Sequence, residues 1–157
     1  MQRDVQLALL LEPLYWQDFP EIRIEFNGKV LDTRQLVQSH HYNWVLPAED
    51  TNKLSVFFLN KRDSDTVDKL DKAVIIKELS IEGLKYKSFL NCSLYRPEYS
   101  EGYFNYAKEN NIVVEPVIHS NYMGFNGEWY LEFTWPTFEW IYDLETAGLG
   151  WVYEKNI

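Results

Sequence analysis

Asp63, Asp65, Asp68 and Asp71 fall within nine residues of one another, and Asn60 sits just ahead of them. Calcium binds about six to eight hard oxygen ligands, and a carboxylate-dense loop supplies several of these. Asp63, Asp65 and Asp71 are therefore the candidate metal ligands, and calcium is the candidate cofactor. The spacing is not that of an EF-hand, because the required glycine and the distal glutamate of that loop are both missing. Lys61, Arg62, Lys69 and Lys72 interleave with the acids and nearly neutralise the stretch, which favours a solvated charged turn over a metal cage.

The other reactive residue types form no constellation. His40, His41 and His119 have no ligand spacing, and neighbouring side chains on a strand point to opposite faces, so His40 and His41 would not share one ion. A strained nucleophile elbow of the form Gly-x-Ser-x-Gly is missing, as is a glycine-rich phosphate loop. Cys92, the single cysteine, lies between Leu90 and Leu94 and reads as a buried small hydrophobe in mid-strand. Glu128 and Glu132 share a strand face, but solvent exposure explains that pair without catalysis. The expectation is a protein that binds or builds and is not an enzyme.

Aromatic residues carry most of the binding potential. Aromatics are 17% of the chain, with 11 Tyr, 9 Phe and 6 Trp. Sugar rings stack their apolar faces on such side chains, and protein interfaces use them because they bury much area at little entropic cost. Tyr99, Tyr103, Phe104, Tyr106 and Tyr122 lie in loop-like stretches where a core role is less automatic, and Tyr42 and Trp44 flank a strand start. Tyr42, Trp44, Tyr99, Tyr103, Tyr106 and Tyr122 are the candidate binding residues, with closure of the sandwich ends as the bland alternative.

The elements that must position these residues are mostly strands. Ile22, Ile24 and Phe26 alternate with Arg23 and Glu25, the period-two mark of a half-buried strand, and Asn27-Gly28 turns it into a return strand at Lys29-Val30-Leu31. Val5–Leu11 fits a strand or a short helix, the strand being favoured, and Leu54–Leu59, Ala73–Ile81 and Phe89–Tyr95 read as further strands, with a turn at Glu82-Gly83. Residues 60–69 and Ser100–Asn111 read as loops, the second with at most a helical turn. From Glu128 to Trp135 the residues Trp129, Leu131, Phe133 and Trp135 share one face and are expected in the core. Pro136 ends that strand, and Phe138, Ile141 and Tyr142 recur at helical spacing towards Gly148. Several short strands between turn signals predict an all-β jelly-roll sandwich with a short C-terminal helix. A single domain over residues 1–157 is expected.

Lys and Arg number 15 against 24 Asp and Glu, a formal net charge of −9. That balance argues against phosphate-backbone partners and against anionic membrane surfaces. Polysaccharide, protein and cation partners stay open. The longest apolar runs are far too short to span a bilayer. The start Met1-Gln2-Arg3-Asp4 lacks a charged-then-apolar leader, so the expectation is a protein made and folded in cytoplasm, that of an infected host included.

Two stretches carry a resemblance. In Leu54–Gly83 a strand leads into Asn60-Lys61-x-x-x-Asp65-Thr66, then Asp71-Lys72-Ala73-Val74-Ile75-Ile76-Lys77, and closes at Ile81-Glu82-Gly83. In the second, Gly124-Phe125-Asn126-Gly127-Glu128-Trp129 runs through Phe133 to Pro136 and Trp140. Together they resemble small β-sandwich proteins of tailed phages, marine and cyanobacterial ones especially, which are similar to calcium-dependent xylan-binding carbohydrate-binding modules. The resemblance implies a jelly roll, a place in the virion (capsid, neck or tail), packing against other virion proteins with self-association, and sugar or calcium binding. It carries over no catalytic residue. The alternative function is a carbohydrate-binding module that recognises a host-surface glycan, with calcium as its cofactor.

Overall fold

The structure is a computed structural model that describes residues 3–146. Alternating burial builds two facing antiparallel sheets. The first has the order β4 (His40–Pro47), β1 (Asp4–Leu14), β6 (Ala73–Ile81), β8 (Tyr122–Met123). The second has the order β3 (Lys29–Gln35), β2 (Glu21–Phe26), β5 (Thr51–Phe58), β9 (Gly127–Thr134), β7 (Leu94–Pro97). Among the described strands only the β2–β3 connection stays within a sheet; every other link between successive strands crosses the sandwich. Counted cyclically from β8 through β9 and on to β1–β6, the two sheets have the strand order of an eight-stranded jelly roll, with β7 added at one edge. This is the all-β sandwich expected of the sequence.

Val5, Leu7, Leu9 and Leu11 of β1 face Ile22, Ile24 and Phe26 of β2, Leu54, Val56 and Phe58 of β5, and Trp129, Leu131 and Phe133 of β9 in one core cluster. Burying side chains of this size contributes about 2 kcal/mol each, which is why the period-two pattern sets the register. A bulge in the β1–β6 ladder between Leu10 and Leu11 leaves Lys77 exposed and returns both Ile76 and Leu79 to the core. The Asn27-Gly28 hairpin turn has both residues at positive φ (51° and 81°), as a two-residue turn of its type requires.

Three segments depart from the sequence expectation. Phe89–Tyr95 is not one strand: α1 (Lys87–Asn91) is followed by β7, and the helix drops Phe89 into the core against Trp140 at 5.8 Å between ring centroids. Cys92 therefore sits half-buried at the end of α1, and burial pushes its thiol up to about 11. Ser100–Asn111 is not a loop but carries α2 (Glu101–Glu109), whose first turn is capped by the Ser100 hydroxyl accepting from Tyr103 N at 3.1 Å. Glu128 is not solvent-exposed. Its side chain is 12% exposed and accepts from Ser55 Oγ at 2.7 Å while pairing with Lys53 and Arg96 at 3.1 Å each, and these two cations flank the buried Tyr130 ring.

The short C-terminal helix is present as α3 (Thr137–Thr146), after a cis peptide between Trp135 and Pro136; Gly148 lies outside the described residues. No helix among the described residues is long and apolar enough to cross a membrane.

Candidate functional site

The long connection from β6 to β8 carries α1, β7 and α2, and it lays α2 beside the acidic loop at residues 60–72. Between them lies a cleft of about 950 Å³. Tyr103 and Tyr106 line it from α2, Tyr122 from β8 and Phe125 from the β8–β9 turn. The rings of α2 and of the turn brace one another. Tyr103 stacks on Tyr99 at 5.2 Å and meets Phe125 edge-on at 4.9 Å, while Tyr106 lies 6.2 Å from Tyr103. Tyr99 stands behind this wall, half-buried, its hydroxyl donating to the Glu115 carbonyl at 2.9 Å. Tyr106 and Tyr122 stay 54% and 39% exposed, which leaves ring surface open to a ligand.

Two joints hold the cleft in shape. Asn126 Oδ1 accepts from Lys61 N at 2.6 Å and Asn126 Nδ2 donates to Lys61 O at 3.1 Å, so the turn bearing Phe125 is tied to the acidic loop as if by a strand pair. Gly102, inside α2, is the second joint. A Cβ there would stand 2.7 Å from Asp63 Oδ2, so the helix and the loop approach closely at this point and a larger residue would need the Asp63 side chain to turn aside.

The polar floor divides into spent and free groups. Asp71 Oδ1 accepts from Lys61 Nζ at 2.6 Å, Thr66 Oγ1 at 2.6 Å and Lys72 N at 2.9 Å, while its Oδ2 accepts from the Tyr122 hydroxyl. Burial alone would raise the Asp71 pKa, but the bonds from Lys61, Thr66 and Tyr122 outweigh it and hold the group below the usual carboxylate range. The Tyr122 phenol is pushed up by burial and by its carboxylate partner. Asp63 and Glu98, by contrast, are exposed in the cleft, and among the described residues neither side chain meets a donor or cation. Free carboxylates are acceptors, suited to ligand hydroxyl groups.

The candidate metal ligands do not converge. Asp65 is fully buried: its Oδ2 accepts from Arg62 N at 2.8 Å and faces Lys72 Nζ at 3.0 Å, and its Oδ1 faces Arg62 Nη2 at 3.0 Å. Burial would raise the Asp65 pKa, and the bonds from Arg62 and Lys72 instead lower it. Asp71 is committed as described, and Asp63 points to α2. Among the described residues no group of three or more His, Cys, Asp or Glu side chains could hold a metal ion. A calcium ion needs a near-complete shell of oxygens free of other cations, and these residues do not fit one.

Four of the six aromatic binding candidates meet at this cleft: Tyr103, Tyr106 and Tyr122 on its surface and Tyr99 behind them. The other two do not. Tyr42 and Trp44 lie on β4, at the sheet edge opposite β8. Tyr42 is 7% exposed, stacks on Trp44 at 5.0 Å and donates its hydroxyl to Asp32 at 2.6 Å, a packing role. Sequence reasoning missed Phe125 and Glu98 as cleft residues. The signal that would have marked Phe125 is the Asn126-Gly127 pair behind it, with Gly127 at a φ of 139°.

No family model matches the chain, and no curated protein matches it. Among solved structures it is similar to the selenomethionine form of vCBM60, described under the words "circular permutation provides an evolutionary link between two families of calcium-dependent carbohydrate binding modules". The TM-score is 0.50 and the identity 12%, over 81% of this chain and 89% of that one. It is also similar to vCBM60 in complex with galactobiose, with a TM-score of 0.49 and 12% identity over 82% of this chain and 97% of that one. The first likeness decides the architecture. The chain has a carbohydrate-binding-module-like sandwich fold. Neither likeness bears on a phage origin, so a capsid, neck or tail role draws nothing from them.

Proposed function

We propose that this domain binds a neutral polysaccharide in the cleft between α2 and the acidic loop, without catalysis. The observation that carries the reading is the co-location, in one open groove, of Tyr103, Tyr106, Tyr122 and Phe125 with the carboxylates of Asp63 and Glu98, which have no partner among the described residues. Ring faces accept the apolar faces of sugars, and carboxylates accept their hydroxyl protons. The same two carboxylates, in a chain of net charge −9, disfavour uronic and sulfated chains even with Arg62 in the lining, which supports a neutral ligand. The carbohydrate-binding-module-like fold supports this alternative above the virion-subunit reading.

The test is retention on a panel of insoluble and gel-embedded polysaccharides, neutral and acidic. Retention by at least one neutral glycan and by no polyuronate is expected. Retention by none, together with a defined oligomer in light scattering, would return the chain to a structural role.

A further inference from the structure

The acidic loop contains its own cations. Lys72 is 1% exposed, and its ammonium group lies 2.9 Å from Asp18 Oδ1 and 3.0 Å from Asp65 Oδ2. Lys61, 8% exposed at its side chain, lies 2.6 Å from Asp71 Oδ1 and donates to the Lys72 carbonyl at 2.7 Å. Arg62 reaches both Asp65 and Asp18 through Nη2, at 3.0 and 3.1 Å. Three carboxylates therefore face three cations and the cluster balances at 3 − 3 = 0. The backbone joins the same cluster, since Trp16 Nε1 donates to the Asp65 carbonyl at 2.7 Å. A divalent ion entering here would displace an ammonium from oxygens that it already saturates, and would leave that ammonium buried without a partner.

We propose that Lys61 and Lys72 are the resident cations of this site: their ammonium groups organise the loop that walls the cleft, and ligand binding there needs no divalent metal. The first half stands on the ionic cluster alone, and the second rests on the reading of the cleft as a glycan site. The solved structure of similar fold is described among calcium-dependent modules, and the proposal sets this chain apart from that description.

Melting of the purified protein in excess calcium and in chelator is the first measurement. The two melting temperatures should coincide. A rise of about 5 °C or more in calcium, the shift expected from a site filled roughly a hundredfold above its Kd, overturns the proposal. Lys72→Met should melt about 10 °C lower than the parent, equally in both conditions, because it takes from the buried Asp65 carboxylate one of its two cations. An unchanged melting temperature in that variant also overturns it. Lys61→Met, at the less buried pair, serves if Lys72→Met does not fold, with a smaller loss that is again indifferent to calcium. Polysaccharide retention is measured in the same two buffers. Retention that requires calcium defeats this proposal and leaves the glycan reading standing, whereas retention in neither defeats the glycan reading and leaves the melting result to decide this one.

Discussion

Replacing Tyr106 by alanine separates binding from folding more cleanly than any other change in the cleft. Its side chain is 54% exposed, and its ring contact is the distant, tilted one to Tyr103 at 6.2 Å. The hydrogen bonds at Tyr106 that tie down the end of α2 are donated by Asn110 to the Tyr106 backbone carbonyl, which alanine keeps. Alanine also has the higher helix propensity, by about 0.5 kcal/mol, which offsets part of the lost packing. The net folding cost is therefore within about 1 kcal/mol, or roughly 4 °C of melting temperature for a chain of this length.

Binding should respond differently. A sugar face on the exposed ring covers about 50 Å² of each partner, worth about 2.5 kcal/mol at 25 cal/mol per Å² when the fit is close. Imperfect cover reduces this to about 1–2 kcal/mol, a loss of roughly 5- to 30-fold in affinity. Affinity electrophoresis through gels containing the retained polysaccharide reads the change, with thermal melting alongside. Tyr142→Ala is the control, since Tyr142 is 65% exposed on α3, outside the cleft. If Tyr106→Ala binds like the parent while folded, or if Tyr142→Ala loses as much, the cleft is not the binding surface.

Two further outcomes follow from the geometry. Asp65 and Asp71 both have folded pKa values below their ordinary one, so the stability they contribute is complete above about pH 4 and is lost as pH falls through those depressed values. Urea unfolding at a series of acidic pH values should show that fall, and Asp65→Asn should flatten it; an equally steep fall in the variant refutes the assignment. Gly127→Ala should cost about 3 kcal/mol or more, because φ is 139° and a Cβ would run into the Arg96 carbonyl oxygen, whereas Gly28→Ala, with open space around it, should cost roughly 1 kcal/mol. Denaturant midpoints for the two variants give the comparison, and equal losses would refute it.

The strands were legible where one face is wet and the other dry. Ile22-Arg23-Ile24-Glu25-Phe26 alternates in sequence and in burial, and Trp129, Leu131 and Phe133 are all 1% exposed or less. The helices between β6 and β8 were not, and the reason is tertiary. Gly102 and the tyrosine-rich composition look like a loop, but the glycine lies close against the Asp63 side chain, and the tyrosines face a cleft that does not exist until the loop and α2 meet. The local signs of a helix were present all the same, in Ser100 as N-cap, Glu101 in the first turn and Lys108 in the last.

The candidate site was half legible for a related reason. Surplus aromatics in polar segments mark surfaces, and Tyr103, Tyr106 and Tyr122 do meet at one cleft; Tyr42 lies apart from them because β4 turns that ring inward, where Asp32 accepts its hydroxyl. The acidic loop poses the harder problem. A run that mixes Asp with Lys is compatible with a solvated turn, a metal cage or an internal ion cluster, and composition does not distinguish them. What distinguishes them is whether the lysines reach solvent. Lys72 directly precedes Ala73 and Val74 at the entry to β6, and pairing of that strand with β1 draws it inside, where its ammonium must meet carboxylates or lose its charge. The cation of this loop is thus chosen by strand pairing to a segment some sixty residues earlier in the chain, which no reading of the loop by itself contains.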